Sequence, residues 1–269
     1  MQSSRKIAVA GATGRVGHHT VDALRESGHE VVEVSRSNGV DVITGEGLAD
    51  ALTGVEGVVD AATGPSPEQD PATRFFTTAA RNLQDAARRA GVERIVVVSI
   101  IGADAFAGGY GAAKIAHERT MLAGPVPVRV VRAAQFHEFV PQMMEWGAKG
   151  DVTYVPKMRT QLVAAQAVGE ILARLAADPD AFAAAPTEPP YLEVAGPREE
   201  NLVEIAELVA KQTGLDSRVE AGHNPNDPDA DVYESGALLP GPDATLAGPT
   251  FRDWLKSEQA ASATSGKAS

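Results

Sequence analysis

The sequence predicts an α/β protein of Rossmann type: a doubly wound parallel sheet with a small C-terminal substrate-binding region. Three observations predict this class. Short apolar runs alternate with helix-periodic segments about six times, the pattern of successive β-α-β units. The run ERIVVVSIIG is apolar almost throughout, as in a strand covered on both faces. Gly11, Gly14 and Gly17 stand at three-residue spacing between an apolar run, Ile7–Ala10, and a segment of helical period. In that context a glycine turn joins a strand to a helix.

The elements follow in order. After the glycine turn, Val21 and Leu24 recur at helical spacing, Gly28 supplies a stop, and Val31, Val32 and Val34 form the second apolar run. A turn, SNG, leads to VDVITGEG, read as a short strand and loop. LADALTGVE is a compact helix and GVVDAAT the next strand. GPSPEQDP, with three prolines, is a loop. A helix is expected over 72–90 with Gly91 as its stop, then the ERIVVVSIIG strand. GADAFAGGYG is glycine-rich and expected to be mobile. AAKIAHERTMLAG is helical, with Lys114 and Glu118 an i,i+4 pair, and VPVRVVRAAQF is a strand. From His137 the pattern loosens into a short helix in EFVPQMMEWGAKG, strands in VTYVP, YLEVAG and SRVEAGHNP, and helices in LVAAQAVGEILARLAAD, NLVEIAELVAKQTG and FRDWLKSE. Residues 224–249 read as loops and 257–269 as a disordered tail. One domain is expected over 1–256, its core at about 5–135 and its substrate-binding part at about 136–256.

The 269 residues carry a formal charge of −12, which argues against nucleic acid or an anionic membrane as partner. There is no cysteine, so disulfides, thiolate catalysis and cysteine-ligated metals are excluded. No His/Asp/Glu cluster has metal-ligand spacing, and no metal is expected. MQSSRK leads straight into a strand with no apolar leader, and no run approaches membrane-spanning length. A cytoplasmic location and a small-molecule substrate are the expectations; the oligomeric state stays open.

Glycines let a backbone turn tightly and approach a pyrophosphate whose charge sits at a helix N-terminus. The turn Gly11, Thr13, Gly14, Arg15, Val16, Gly17 is therefore read as a dinucleotide cradle. An acidic residue roughly 20 positions past the glycines binds a ribose 2′-hydroxyl, whereas arginine suits a 2′-phosphate. Here Ser35 stands at that place and Arg36 follows, with Glu33 two residues too early. Arg15 adds a second guanidinium, whose fork matches phosphate oxygens. NADP(H) is expected over NAD(H).

Tyr110 and Lys114 are four apart at the start of a helix that follows the strand ending in Ser99. The spacing puts both on one face. Tyrosine ordinarily titrates near 10, and a neighbouring ammonium is expected to lower that value. Tyr110 would then protonate the oxygen of a carbonyl whose carbon accepts hydride, Lys114 would assist and hold the cofactor ribose, and Ser99 would hydrogen-bond the substrate oxygen. Phe136 and His137, after a strand, are candidate substrate contacts.

GATGRVG, the SRS at the second strand's end, ARNLQDAARRAGVERIVVVSIIGA, Tyr110-Gly-Ala-Ala-Lys114 with Glu118, RAAQFHEF and YLEVAGP occur in that order over roughly residues 6 to 210. Together they resemble the short-chain dehydrogenase/reductase superfamily, in its atypical NmrA-like branch. The resemblance implies a Rossmann fold, an NAD(P) cofactor and a Ser–Tyr–Lys site at Ser99, Tyr110 and Lys114. It further implies that Asp41 meets the adenine and that Ala62 and Thr63 line the cofactor. Two features depart from the family pattern. Ile100 and Ile101 follow Ser99 where many active members carry a second Ser or Thr, and Asn82 does not fall where relatives carry a helix asparagine. The expected activity is NADPH-dependent reduction of a carbonyl or quinone-like molecule. The alternatives are a non-catalytic NADP-binding sensor of the NmrA type and a nucleotide-sugar epimerase or dehydratase.

Overall fold

The computed structural model describes residues 4–222 and 229–257. In chain order its elements are β1 (Lys6–Ala10), α1 (Gly17–Glu26), β2 (Glu30–Val34), α2 (Leu48–Ala51), β3 (Gly57–Asp60), α3 (Gln69–Ala90), β4 (Arg94–Ile100), α4 (Gly109–Leu122) and β5 (Val128–Ala133). Then come α5 (Val140–Gly147), β6 (Ala148–Lys149), β7 (Val152–Pro156), β8 (Arg159–Thr160), α6 (Ala165–Ala177), α7 (Pro179–Ala184) and β9 (Tyr191–Ala195). β10 (Glu200–Asn201), α8 (Leu202–Thr213), β11 (Arg218–Gly222), α9 (Ala230–Ser235) and β12 (Thr245–Leu246) follow, and 251–257 is helical. Two compact units result. The first holds the residues up to Arg132 together with Ala165–Leu192, and the second holds Ala133–Ala164 and the residues from Glu193 on.

The main sheet is parallel, seven-stranded and ordered β2-β1-β3-β4-β5-β9-β12. From β1 the chain moves outward to β2 and then returns to the other side of β1 to lay down β3. That reversal is the topological switch point, where open α/β sheets bind ligands at the carboxyl ends of the strands. In the first unit, α3 and α4 pack together, and α1 packs on α6. Strand alternation supplies both faces: Ala8, Ala10, Val58, Ile95 and Val97 join Ala80, Leu83, Ala87 and Met121 in one core cluster, while Ile7 and Val9, equally buried, point the other way. The length of α3 follows from apolar residues at helical spacing, with Ala72, Phe76, Ala79, Leu83 and Ala86 all buried. Gly91, at φ 75°, ends it.

Glycines also explain why α6, from the middle of the chain, packs with the first unit. A Cβ at Gly169 would lie 2.9 Å from the backbone nitrogen of Thr20 on α1, and one at Gly57 would lie 2.6 Å from the Ala176 carbonyl oxygen on α6. Arg94 Nε donates to that same oxygen at 2.8 Å. Two backbones approach this closely only where one lacks a side chain.

In the second unit, β7 pairs in parallel with β11 and antiparallel with β6, β8 pairs antiparallel with β10, and α5 and α8 pack on β7. Asn201 caps α8 through Val203 N–H, and Gly214, left-handed, ends it.

Three expectations differ from the structure. VDVIT is not a strand. Arg36–Asn38 is a short 3-10 turn, Gly39, Gly45 and Gly47 take positive φ, and Asn82 Nδ2 donates to the carbonyls of Val42 and Ile43 at 2.9 and 2.8 Å. The backbone groups that a sheet would have paired are held by a side chain of α3. Within 224–249, read as loops, Ala230–Ser235 is helical and Thr245–Leu246 pairs with β9. The stretch 102–108 is anchored: Asp104 pairs with Arg132, Gln69 Oε1 accepts the Gly109 N–H at 3.0 Å, and the Phe106 ring fills the space a side chain at Gly111 would need. Residues 223–228, at the end of SRVEAGHNP and the start of that loop stretch, and the tail at 258–269 lie outside the described residues.

Gln84 fastens α3 to the turn before β5. Its amide nitrogen donates to Met121 and Val126 carbonyls and its oxygen accepts the Val126 N–H. Gln84→Leu should cost about 3 kcal/mol, because it leaves these buried groups unpaired. A denaturant midpoint equal to wild type would contradict this.

Candidate functional site

The glycine turn is built by exclusion of side chains. Gly11 has φ +74°, and a Cβ there would lie 2.6 Å from the Ala61 carbonyl oxygen. At Gly17 a Cβ would lie 2.0 Å from the Gly11 oxygen, and at Gly14 it would lie 3.1 Å from that same atom. The first helical residue of α1 thus rests on the first glycine, and the first glycine rests on the backbone after β3. Gly14 N–H donates back to the Gly11 carbonyl at 2.8 Å and Gly11 N–H to the Val34 carbonyl at 3.0 Å. No side chain caps α1 at Val16, and its first turn holds no acid. A helix start left open in this way suits an anion. These residues fit a dinucleotide pyrophosphate. Thr13 and Arg15 are exposed on the turn and Val16 is buried beneath it.

At the end of β2, the Glu33 carboxylate is held by Arg25 at 2.7 Å. The Ser35 hydroxyl meets that of Ser37 at 2.8 Å, and Arg36 is exposed. Asp41 Oδ1 accepts from Ile43 N–H at 2.7 Å and from Thr44 N–H at 3.4 Å. That carboxylate oxygen shapes the turn which replaces the expected strand.

β3 ends in Asp60, opposite Ala10 and Val97 in the sheet. Its Oδ1 accepts the Ala62 N–H at 3.0 Å. The next residue, Thr63, shares a hydrogen bond of 3.2 Å with the Tyr110 hydroxyl. The structure therefore joins three expected residues, Ala62, Thr63 and Tyr110, at the switch point. Lys114 is on the same helix face but turns inward. Its Nζ donates to the Val98 carbonyl at 2.8 Å and to His117 Nδ1 at 3.1 Å, and lies 4.4 Å above the Phe76 ring. Burial, opposed by the charges of Asp60 and Glu118, lowers Lys114 to about 8.

The expected lowering of Tyr110 does not occur. Burial raises its pKa, and the Thr63 hydrogen bond offsets this only in part. The physical reason is the direction of Lys114, whose ammonium is spent on the sheet and on His117. Ser99 is buried, and its Oγ has no hydrogen-bond partner among the described residues. Ser99, Tyr110 and Lys114 thus form no hydrogen-bonded triad. Glu118 does not pair with Lys114 either; it takes Arg132 in a bidentate ion pair at 3.0 and 2.9 Å.

In the second unit, Phe136 is half-buried and bridges to Val163. His137 is fully buried. Its Nε2 bonds the Leu162 carbonyl at 3.0 Å, and its ring packs edge-on against Phe251. Burial lowers it to about 4, so it is a neutral core residue rather than the expected substrate contact.

Asp60 and His117 were not anticipated from the sequence. Their hydrogen bond, His117 Nε2 to Asp60 Oδ2 at 2.9 Å, is the centre of the polar cluster. A signal was present: the buried stripe of α4 runs Gly111, Lys114, His117, Glu118, Met121, with three polar residues where helical spacing calls for apolar ones.

Residues 11–124 match a family model described as NAD(P)H-binding. No curated protein matches the chain in sequence. Several solved structures share its fold. WbmG of Bordetella bronchiseptica, solved with NAD and UDP, is 17% identical over 96% of this chain and 94% of its own, with a TM-score of 0.69. MoeE5, solved with UDP-glucose and NAD, is 20% identical over 92% and 95%, with a TM-score of 0.68. A UDP-N-acetylglucosamine 4-epimerase from Bacillus cereus is 18% identical over 92% and 93%, with a TM-score of 0.65. The chain is a Rossmann-like α/β protein. The segment that matches the NAD(P)H-binding model includes the Gly11–Gly17 turn. No described helix is long and apolar enough to cross a membrane.

Gly17→Ala should abolish dinucleotide binding and lower Tm, because its Cβ collides with backbone. Gly14→Ala should weaken binding but leave Tm near wild type. Equal effects of the two variants in thermal melts and cofactor titrations would contradict the packing derived for the turn.

Proposed function

We propose that the protein is an NADPH-dependent reductase of a carbonyl or quinone-like small molecule, of the NmrA-like kind. Tyr110 carries the reading. Its phenol is held protonated by burial, and its hydroxyl is oriented by Thr63 beside the switch point. A group that gives a proton to a developing alkoxide acts from its protonated form, whereas oxidation of an alcohol needs a base at the same oxygen. Protonated Tyr110 is in the form that the first task needs. In the reaction the carbonyl carbon gains a hydride from NADPH and the oxygen gains the Tyr110 proton, giving the alcohol and NADP+. Lys114 offers the ammonium that would hold the cofactor ribose, and the buried, unpaired Ser99 hydroxyl offers a donor to the substrate oxygen. The preference for NADPH is supported by Glu33, which Arg25 holds, and by Arg36, exposed just past β2.

A second reading, nucleotide-sugar epimerase or dehydratase, is favoured by the whole-length likeness to proteins solved with NAD and UDP-sugars. It would require Tyr110 to act first as a base, since it begins from an alcohol.

Following NADPH absorbance against a panel of ketones and quinones tests the proposal. Tyr110→Phe should lower the rate at least about a hundredfold, as loss of a general acid does. With Tyr110 raised above its ordinary 10.0, the acid stays loaded as pH rises, so a fall of the wild-type rate above about pH 8 should follow loss of the Lys114 ammonium and not of the Tyr110 proton. A Tyr110→Phe variant as fast as wild type would sink the assignment. Tight binding of NADPH with no turnover across the panel would leave a sensor, and turnover of a UDP-sugar with NAD would establish the second reading.

A further inference from the structure

Resting on the reading that Lys114 holds the cofactor, the geometry points to Asp60 and His117 as its positioning residues, a buried dyad that gives the Lys114 ammonium both its direction and its counter-charge. Asp60 and His117 are 1% exposed and Lys114 is 4% exposed. The donor inventory of the chain has a single solution. An ammonium donates to the Val98 carbonyl and to His117 Nδ1. Acceptance at Nδ1 puts the imidazole proton on Nε2, which donates to Asp60 Oδ2. Asp60 Oδ1 accepts the Ala62 N–H. Two donors of Lys114 are used, and the Phe76 ring lies 4.4 Å from the ammonium.

A protonated imidazole would set two donors against each other across 3.1 Å. Burial and the Lys114 charge both keep His117 neutral. Phe76 fixes the pair from α3: it stacks on the imidazole at 4.8 Å with the planes 19° apart, and its face lies under the ammonium. The other groups around Lys114 are Glu118, engaged by Arg132 of β5, and Tyr110 one turn back on α4, engaged by Thr63. Asp60 is thus the carboxylate left to balance the ammonium. A buried ion pair brings little net stability compared with apolar residues of the same volume, so the dyad is best accounted for by what it does to Lys114. It also explains how the cluster is organised with no counterpart of the helix asparagine, since Asn82 is occupied with the 42–43 turn.

Three substitutions separate positioning from its alternatives. His117→Phe keeps the stack on Phe76 and removes both hydrogen bonds. His117→Gln keeps an acceptor and a donor but cannot titrate. Asp60→Asn keeps the volume and removes the charge. Two readouts are taken on the full chain: the NADPH dissociation constant, and the pH titration of the Lys114 side-chain carbon resonance in cofactor-free protein, assigned by its loss in Lys114→Met. His117→Phe should weaken NADPH about tenfold while His117→Gln stays within about threefold. Asp60→Asn should move the Lys114 midpoint down by about one pH unit from a wild-type value of about 8. If both readouts are unchanged in His117→Phe and Asp60→Asn, the dyad is overturned. Equal losses in His117→Gln and His117→Phe would overturn positioning in favour of proton transfer through the ring. Should His117→Phe fail to fold, Asp60→Asn and His117→Gln decide on the same readouts. Should wild type bind no NADPH, the cofactor reading fails, while the Lys114 midpoint still decides the dyad.

Discussion

The contact on which the rest of this structure depends is between backbones. Gly17 lies on Gly11, and Gly11 lies on the Ala61–Ala62 peptide, at separations that leave no room for a Cβ. This draws the start of α1 and the exits of β1 and β3 to one point of the sheet. Sheet topology makes that point the place where the strand order turns back, and open α/β sheets bind ligands at such points. The hydrogen bond from Gly11 to Val34 ties the end of β2, and with it Ser35 and Arg36, to the same turn. Substituting Gly11 or Gly17 therefore disturbs the packing of the whole turn.

A second constraint acts one strand further on. Asp60 ends β3 and Ser99 stands next to the last residue of β4, and both are buried. Buried polar groups need partners: α4 supplies one to Asp60 through His117, whereas Ser99 Oγ has none among the described residues. Phe76 provides the shared floor: Tyr110, Lys114 and His117 all meet its ring. The consequence is a division of labour between two residues that sequence spacing alone pairs. Tyr110 faces Thr63 and stays protonated, while Lys114 faces the sheet and carries the charge.

Much of the fold was legible because it is encoded locally. Glycine stops at Gly91 and Gly214, apolar runs at β1 and β4, and the helical period of α3 each specify an element without reference to the rest of the chain. VDVIT was misread because its apolar residues suit a strand, yet its carbonyls are taken by Asn82, forty residues away. At the site, the glycine turn and the Tyr110–Lys114 face were readable from spacing. The Asp60–His117 bond was not, since it joins a strand end to a helix 57 residues later, and only the polar stripe of α4 hinted at it. The burial of His137 depends on packing against Phe251, more than a hundred residues on, which no local pattern carries.

In the proposed function, the Gly11–Gly17 turn would cradle a dinucleotide and the end of β2 would select the phosphorylated one. Calorimetric titration of the wild-type protein with NADPH, and separately with NADH, tests it most directly. One NADPH site per chain, at least about tenfold tighter than NADH as a charge-assisted phosphate contact provides, is the result the structure predicts. The absence of saturable binding by either nucleotide would contradict it.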